Sequence, residues 1–157
     1  MRKPLLLNII LTFVWVALTG EYSMANFLLG LVLGFIALRF TLGKSAKRYF
    51  LFMPRLFGFA VYFIYELVKS NIQVAVDVVT PPFYMKPGIV AVPLDAKTDA
   101  EIGLLANLIT LTPGTLSLDV AEDRSVLYVH VMYLLDEKQF IEDIKNGFER
   151  RLLNLMR

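Results

Sequence analysis

The chain opens on two apolar runs, Leu5–Leu18 and Ala25–Leu42. Thr19-Gly20-Glu21-Tyr22-Ser23-Met24 separates them, and Gly43-Lys44-Ser45-Ala46-Lys47-Arg48 follows. The first run carries no charge and the second only Arg39. A bilayer-crossing helix needs about twenty apolar residues, and each run is at or slightly below that length. Helices satisfy their backbone polar groups internally, so two such runs joined by a tight turn predict a transmembrane hairpin. It occupies 1–48, with spans at about 4–20 and 25–42. Arg2 and Lys3 precede the first run, Lys44, Lys47 and Arg48 follow the second, and the turn holds Glu21 and no basic residue. The excess of basic residues at both ends predicts that these ends are cytoplasmic and the turn external. Arg39 lies close enough to the inner end to snorkel. Tyr22 on one side and Tyr49 and Phe50 on the other fall where interfacial aromatics are expected. A signal peptide is the rival reading, with Met1-Arg2-Lys3 as its basic start and Ser23-Met24-Ala25 as a small-residue cleavage site. The second apolar run follows at once, which favours the hairpin.

Segment 49–80 is apolar too, but its polar residues recur regularly. Arg55, Tyr62, Glu66, Lys69, Gln73 and Asp77 are spaced 7, 4, 3, 4 and 4. At roughly 100° per residue they fall within about 40° of one line along a helix over Phe52–Val79. Glu66 and Lys69 can pair at i, i+3. Such a helix either spans the membrane with its stripe toward a partner, or lies in the interface as an amphipathic or tilted element. The basic cluster fixes its start inside, so a spanning helix would carry the acidic C-terminal half outside. The in-plane reading at the cytoplasmic surface is preferred. Pro81-Pro82 stops the helix and opens a linker over 81–87.

Residues 88–157 predict a small β-α-β-β-α domain, making the chain a membrane α+β protein. Gly88–Leu94 reads as a strand that Pro93 ends. Thr98-Asp99-Ala100-Glu101 is a capping-box pattern that starts a helix from about Asp99 to Thr110. Thr115–Val120 alternates, with Leu116, Leu118 and Val120 expected on one face, and turns through Ala121-Glu122-Asp123-Arg124 into a second strand, Ser125–Leu134. Asp136 caps a last helix whose buried stripe is Phe140, Ile141, Ile144, Phe148, Leu152 and Leu155, and Arg150, Arg151 and Arg157 suit its C-terminal dipole.

Composition sharpens this picture. With 57% hydrophobic residues in 157 and a mean hydropathy of +0.60, the chain is too apolar for an ordinary soluble domain. The net charge of +2 hides an asymmetry. Residues 1–80 hold eight basic and three acidic side chains, and 81–157 hold eight basic and eleven acidic. The basic half suits an anionic cytoplasmic leaflet. The acidic half suits a small solvated domain and argues against nucleic acid as a partner. The absence of cysteine excludes disulfides, thiolate metal sites and thiol nucleophiles.

Few residues invite chemistry. His130, the only histidine, sits mid-strand on the face of Tyr128 and Met132, where a partly buried structural residue is the ordinary reading. One histidine with no nearby serine–aspartate arrangement builds neither a triad nor a metal site. Glu66, Lys69 and Asp77 are ionisable groups beside a membrane and hence functional suspects. Their regular spacing equally suits a solvated or headgroup-facing stripe. An ion path needs titratable groups inside the spans, and here the spans offer only Arg39. Asn26, Gly30, Gly34 and Ala37 share one face of the second span, and Asn8, Thr12, Trp15 and Thr19 one face of the first. Both are expected packing faces, serving either the hairpin or another protein chain. Thr110-Leu111-Thr112-Pro113-Gly114-Thr115 precedes a strand rather than a helix, so it reads as a structural turn and not a phosphate loop. No catalytic, cofactor-binding or metal-ligating residue is expected.

The run from Ala106 to Val120, with Leu111-Thr112-Pro113-Gly114-Thr115 at its centre, resembles the hallmark stretch of the E subunit of the Mrp-type multisubunit Na+/H+ antiporters. Leu127-Tyr128-Val129-His130-Val131, Pro54-Arg55-Leu56 and Glu66-Leu67-Val68-Lys69-Ser70-Asn71 fit the same family, and the likeness covers essentially the whole chain. The resemblance implies an accessory subunit in a bacterial cell membrane whose partners are the other subunits and membrane lipids. It implies that larger subunits related to respiratory complex I carry the proton path and exchange external protons for cytoplasmic Na+ or K+, supporting sodium and alkaline-pH tolerance. The competing hypothesis is a stand-alone membrane-tethered enzyme or lipid-binding module. The lack of a nucleophile–base or metal constellation favours the accessory subunit.

Overall fold

The computed structural model describes residues 2–80 and 85–157, the side chains of Arg2 and Lys44 excepted. Pro81 and Pro82, expected to stop the third helix, and the start of the 81–87 linker lie outside the described residues. The chain divides into two compact units, residues 1–54 and 55–157.

The first unit is the expected hairpin of α1 (Arg2–Thr19) and α2 (Met24–Leu42). Ser23 caps α2 by accepting a hydrogen bond from the Asn26 amide. Small and polar side chains fill the seam: Asn8, Thr12 and Val16 of α1 are buried against Asn26, Gly30, Gly34 and Leu38 of α2. Trp15 Nε1 donates to Asn26 Oδ1 at 2.9 Å, and Asn26 Nδ2 donates to Thr19 Oγ1 and to the Glu21 carbonyl. The two packing faces therefore meet each other. Ala37 is a correction: it is exposed, and Leu38 takes the next inward place. Gly30, Gly34 and Leu38 recur every four residues, so the buried row steps past Ala37.

A short 3-10 turn (Gly43–Ala46) leads into α3 (Lys47–Val79), which starts earlier than expected and runs through Pro54. Pro54 removes one helix hydrogen bond in the interior, and the boundary between the two units falls just after it. By length and composition alone α2 and α3 could each cross a membrane, whereas α1 is a shorter apolar helix.

The second unit holds residues 55–79 of α3 and the domain. β1 (Gly88–Pro93), α4 (Asp99–Thr110), β2 (Thr115–Val120) and β3 (Val126–Val131) follow, then α5 (Glu137–Asp143), a π-helical turn (Ile144–Glu149) and α6 (Arg150–Met156). The three strands form an antiparallel sheet in the order β1-β3-β2. Its inner face, Val90, Val92, Leu127, Val129 and Val131, packs on Leu105 and Ile109 of α4 and on Ile144, Phe148 and Leu152.

Two expectations fail here. Leu116 and Leu118 are exposed while Val120 packs against the core. The register shifts between Ser117 and Asp119, and this bulge turns the alternation over, so the three residues cannot share a face. The last helix is not uniform either. Its wide turn keeps the inward row in steps of four, through Ile144, Phe148 and Leu152, so Met156 packs on the core where Leu155 was expected.

Candidate functional site

The polar stripe of α3 is the centre of interest: Tyr62, Glu66 and Asp77 are covered by the domain, while Arg55, Lys69 and Gln73 are exposed. Phe59, Tyr62 and Phe63 pack against the domain core, with the Tyr62 ring 5.3 Å from that of Phe148. Gly147 lies directly under the Tyr62 hydroxyl, where a Cβ would collide. Arg151 stacks over the Tyr62 ring, its Cζ 4.4 Å from the ring centroid. Arg55 Nη1 donates to the Asn154 carbonyl at 2.9 Å. At the far end Asp77 is buried, and the Tyr133 hydroxyl donates to its Oδ2 at 3.2 Å. Desolvation, and next the Asp77 carboxylate, push the Tyr133 hydroxyl above its usual pKa. All six stripe residues line or touch this domain, but Arg55, Lys69 and Gln73 stay exposed, and Lys69 lies 3.7 Å from Glu66.

Between stripe and domain lies a groove of about 380 Å³, walled by Glu66, Lys69 and Gln73 on one side and by Thr112, Gly114, Asp143 and Asn146 on the other. The Thr112–Thr115 turn is structural, as expected. Thr112 Oγ1 donates to the Leu108 carbonyl, and Thr115 Oγ1 to the Ile109 and Thr112 carbonyls, so these hydroxyls close the end of α4. Gly114 has φ +87°, a conformation that favours glycine. His130 sits on the outer face of the sheet, in register with Ile89 and Leu116. The structure brings it to none of the ionisable stripe residues.

Sequence reasoning missed a second polar cluster, on the loop between β1 and α4. Glu149 is 1% exposed, and its Oε1 accepts from the amides of Asp95 and Ala96 at 2.6 and 2.9 Å. Lys145 Nζ reaches Glu149 Oε2 at 2.8 Å, Asp95 Oδ2 at 2.6 Å and the Pro93 carbonyl at 3.0 Å. Burial opposes the charge on Lys145, yet Asp95 and Glu149 outweigh it and hold its pKa above the usual value. Beside it, the capping-box Glu101 accepts from the amides of Lys97 and Thr98 and from Arg157 Nε and Nη2. The Arg157 pair and those amides lower the Glu101 pKa from 4.5 to about 2. Lys145 and Glu149 stand at i, i+4, a signal that was there to find. Its meaning depended on a loop 53 residues away.

An apolar hairpin joined through a one-sided helix to a small α+β domain defines a membrane protein. A family model described as Na+/H+ ion antiporter subunit matches residues 8–155, and the chain belongs to that family. It is 38% identical to the Na+/H+ antiporter E subunit of Alkalihalophilus pseudofirmus, over 99% of each chain. It is 36% identical to the corresponding E subunit of Bacillus subtilis, over 100% of each. Among solved structures, one chain of the Mrp complex from Dietzia sp. is similar with 28% identity and a TM-score of 0.51, covering 66% of this chain and 96% of that one. A chain of the archaeal membrane-bound sulfane sulfur reductase, a respiratory membrane complex, is similar with 25% identity and a TM-score of 0.56, covering 97% and 98%.

Proposed function

We propose that this chain is an accessory subunit of a multisubunit monovalent cation/proton antiporter, supporting assembly and Na+ or K+ exchange in sodium and alkaline-pH homeostasis. The observation that carries the reading is full-length similarity to chains named as antiporter E subunits. The spans agree with it. α1 contains no acidic residue and α2 only Arg39 as a charge, and the Arg39 guanidinium stacks 5.5 Å from the Phe50 ring. On α3, Glu66 lines the domain groove and Asp77 accepts from Tyr133, so the two carboxylates of the stripe are engaged by the domain. The role is to hold partners in place, not to act as an enzyme.

The hairpin spans the bacterial cell membrane with its turn outside, and the 88–157 domain is cytoplasmic. The basic residues at both ends of the hairpin support this orientation. α3 lies along the membrane surface. The domain packs on the stripe at Tyr62, Glu66 and Asp77, while Phe57, Val61, Ile64, Val68 and Ile72 are left exposed on the other side. A spanning α3 would draw the charged surface of that domain into hydrocarbon; an in-plane α3 buries only its apolar face.

The test is purification of the tagged chain from its native membrane in mild detergent. Co-elution of the larger hydrophobic antiporter subunits in fixed proportion is expected. A lone monomer with no partner bound contradicts the proposal.

A further inference from the structure

An antiparallel sheet with one face on a core ordinarily turns polar side chains outward on the other. The sheet of the second unit does not. The inner positions of β1 and β3 fill the core, so the positions between them, Ile89, Ala91, Tyr128 and His130, lie on the outer face. Register sets Ile89, His130 and Leu116 side by side across the three strands, with Ala91, Tyr128 and Asp119 in the next row. Leu118, displaced by the bulge, is exposed too. Ile89, Leu116, Leu118 and Tyr128 are 40–64% exposed. Among the described residues at these outward positions the only charged one is Asp119, on the edge strand β2.

We infer that this outer face docks an amphipathic helix of another antiporter subunit, one with an uncharged apolar stripe and a hydrogen-bonding group opposite His130. A contiguous apolar surface rimmed by polar residues marks an interaction site rather than a solvated face. Three strands of six residues each present about 14 Å by 20 Å, roughly 300 Å². A stable dimer needs about 800 Å² on each partner, so a second copy seated here would not be held. A subunit already fixed by other contacts within a complex needs no such area. A helix of about 13 residues spans the face. A lipid surface fits it poorly, because the outward positions offer no lysine or arginine to anionic headgroups and Asp119 would be repelled by them. The His130 imidazole, once covered, must keep a hydrogen-bond partner, which the helix has to supply.

The assignment rests on assembly with other antiporter subunits, which co-elution of the unaltered chain reports separately. The photoprobe p-benzoylphenylalanine, installed in place of Tyr128 in the full-length chain in its native membrane, should give on irradiation an adduct with a second antiporter subunit. Peptide sequencing of the adduct should place the link on a helix with an uncharged apolar face. The same probe in place of Asn107, exposed on the helix that packs on the opposite side of the sheet, should not give that adduct. Ile89→Lys and Leu116→Glu put charge at positions that are already exposed. Each should lower co-elution about fivefold or more while leaving the melting temperature of the purified chain unchanged. With the unaltered chain assembled, a Tyr128 adduct formed only with lipid or with a second copy overturns the site. So does the absence of any adduct, a link to a charged or extended segment, or co-elution untouched by both substitutions.

Discussion

The Tyr133 hydroxyl donates a hydrogen bond to Asp77 Oδ2 across 56 residues of sequence, tying the segment after β3 to the last turns of α3. A carboxylate at the far end of the polar stripe is thereby engaged by the domain. Tyr133→Phe removes the donor and keeps the ring. A hydrogen bond to a charged group contributes about 1.5–3 kcal/mol, and loss of this one should loosen the end of α3. Hydrogen exchange at the amides of 74–79 in the full-length protein should rise at least tenfold. Exchange at 59–66, held by Phe148, should stay unchanged.

The Glu101–Arg157 pair sets an acid limit on the domain. The folded pKa of Glu101, about 2, lies below its ordinary 4.5, so the unfolded chain binds the proton more readily. The stabilisation is complete above the ordinary value and is lost as pH falls from 4.5 toward 2. Arg157→Gln removes the largest cause of the shift. A carboxyl-carbon NMR titration should show the Glu101 midpoint rising toward 4.5 in the variant. An unmoved midpoint would mean that the Lys97 and Thr98 amides hold the carboxylate by themselves.

Gly34 faces Asn8 so closely that a Cβ there would collide with Asn8 Oδ1. At Gly30 the same atom would meet Thr12 Cγ2 and Trp15 Cδ1 at 3.1 Å, a contact that small shifts can relieve. Gly34→Ala should therefore reduce recovery of assembled complex more than Gly30→Ala, with membrane insertion preserved. Asn8→Ala in the Gly34→Ala background should restore recovery at least in part. If the double variant is no better than the single, the collision is not what Gly34 avoids.

How far the chain can be read without its structure differs from element to element. Thr98 and Glu101 announced the start of α4 because a capping box is a local exchange of hydrogen bonds. The 7-4-3-4-4 spacing announced the phase of α3 for the same reason. What covers that stripe was not legible, because Phe148, Arg151 and Tyr133 lie far away in sequence. The bulge at Leu118 was hidden since an alternating sequence carries no mark of an extra residue. Glu149 was missed because a charged residue in a basic helix ending reads as surface; only the amides of Asp95 and Ala96, which it receives, explain its burial.

The proposed topology is checked with single cysteines, which this cysteine-free chain allows. Ser23→Cys, in the hairpin turn, should react with a membrane-impermeant maleimide in intact cells. Ser125→Cys, in the turn before β3, should react only after the cells are opened. Labelling of Ser125→Cys in intact cells would place the domain outside and make α3 a third span.

The central claim is that this protein supports cation/proton exchange without carrying the ions. Glu66→Gln and Asp77→Asn neutralise the two carboxylates of the stripe while keeping their shape. Exchange measured in everted vesicles, divided by the amount of assembled complex, should remain within about twofold of wild type, a change of under about 0.5 kcal/mol in any barrier. A fully assembled complex whose exchange is abolished by either substitution would put that carboxylate on the ion path and contradict the account.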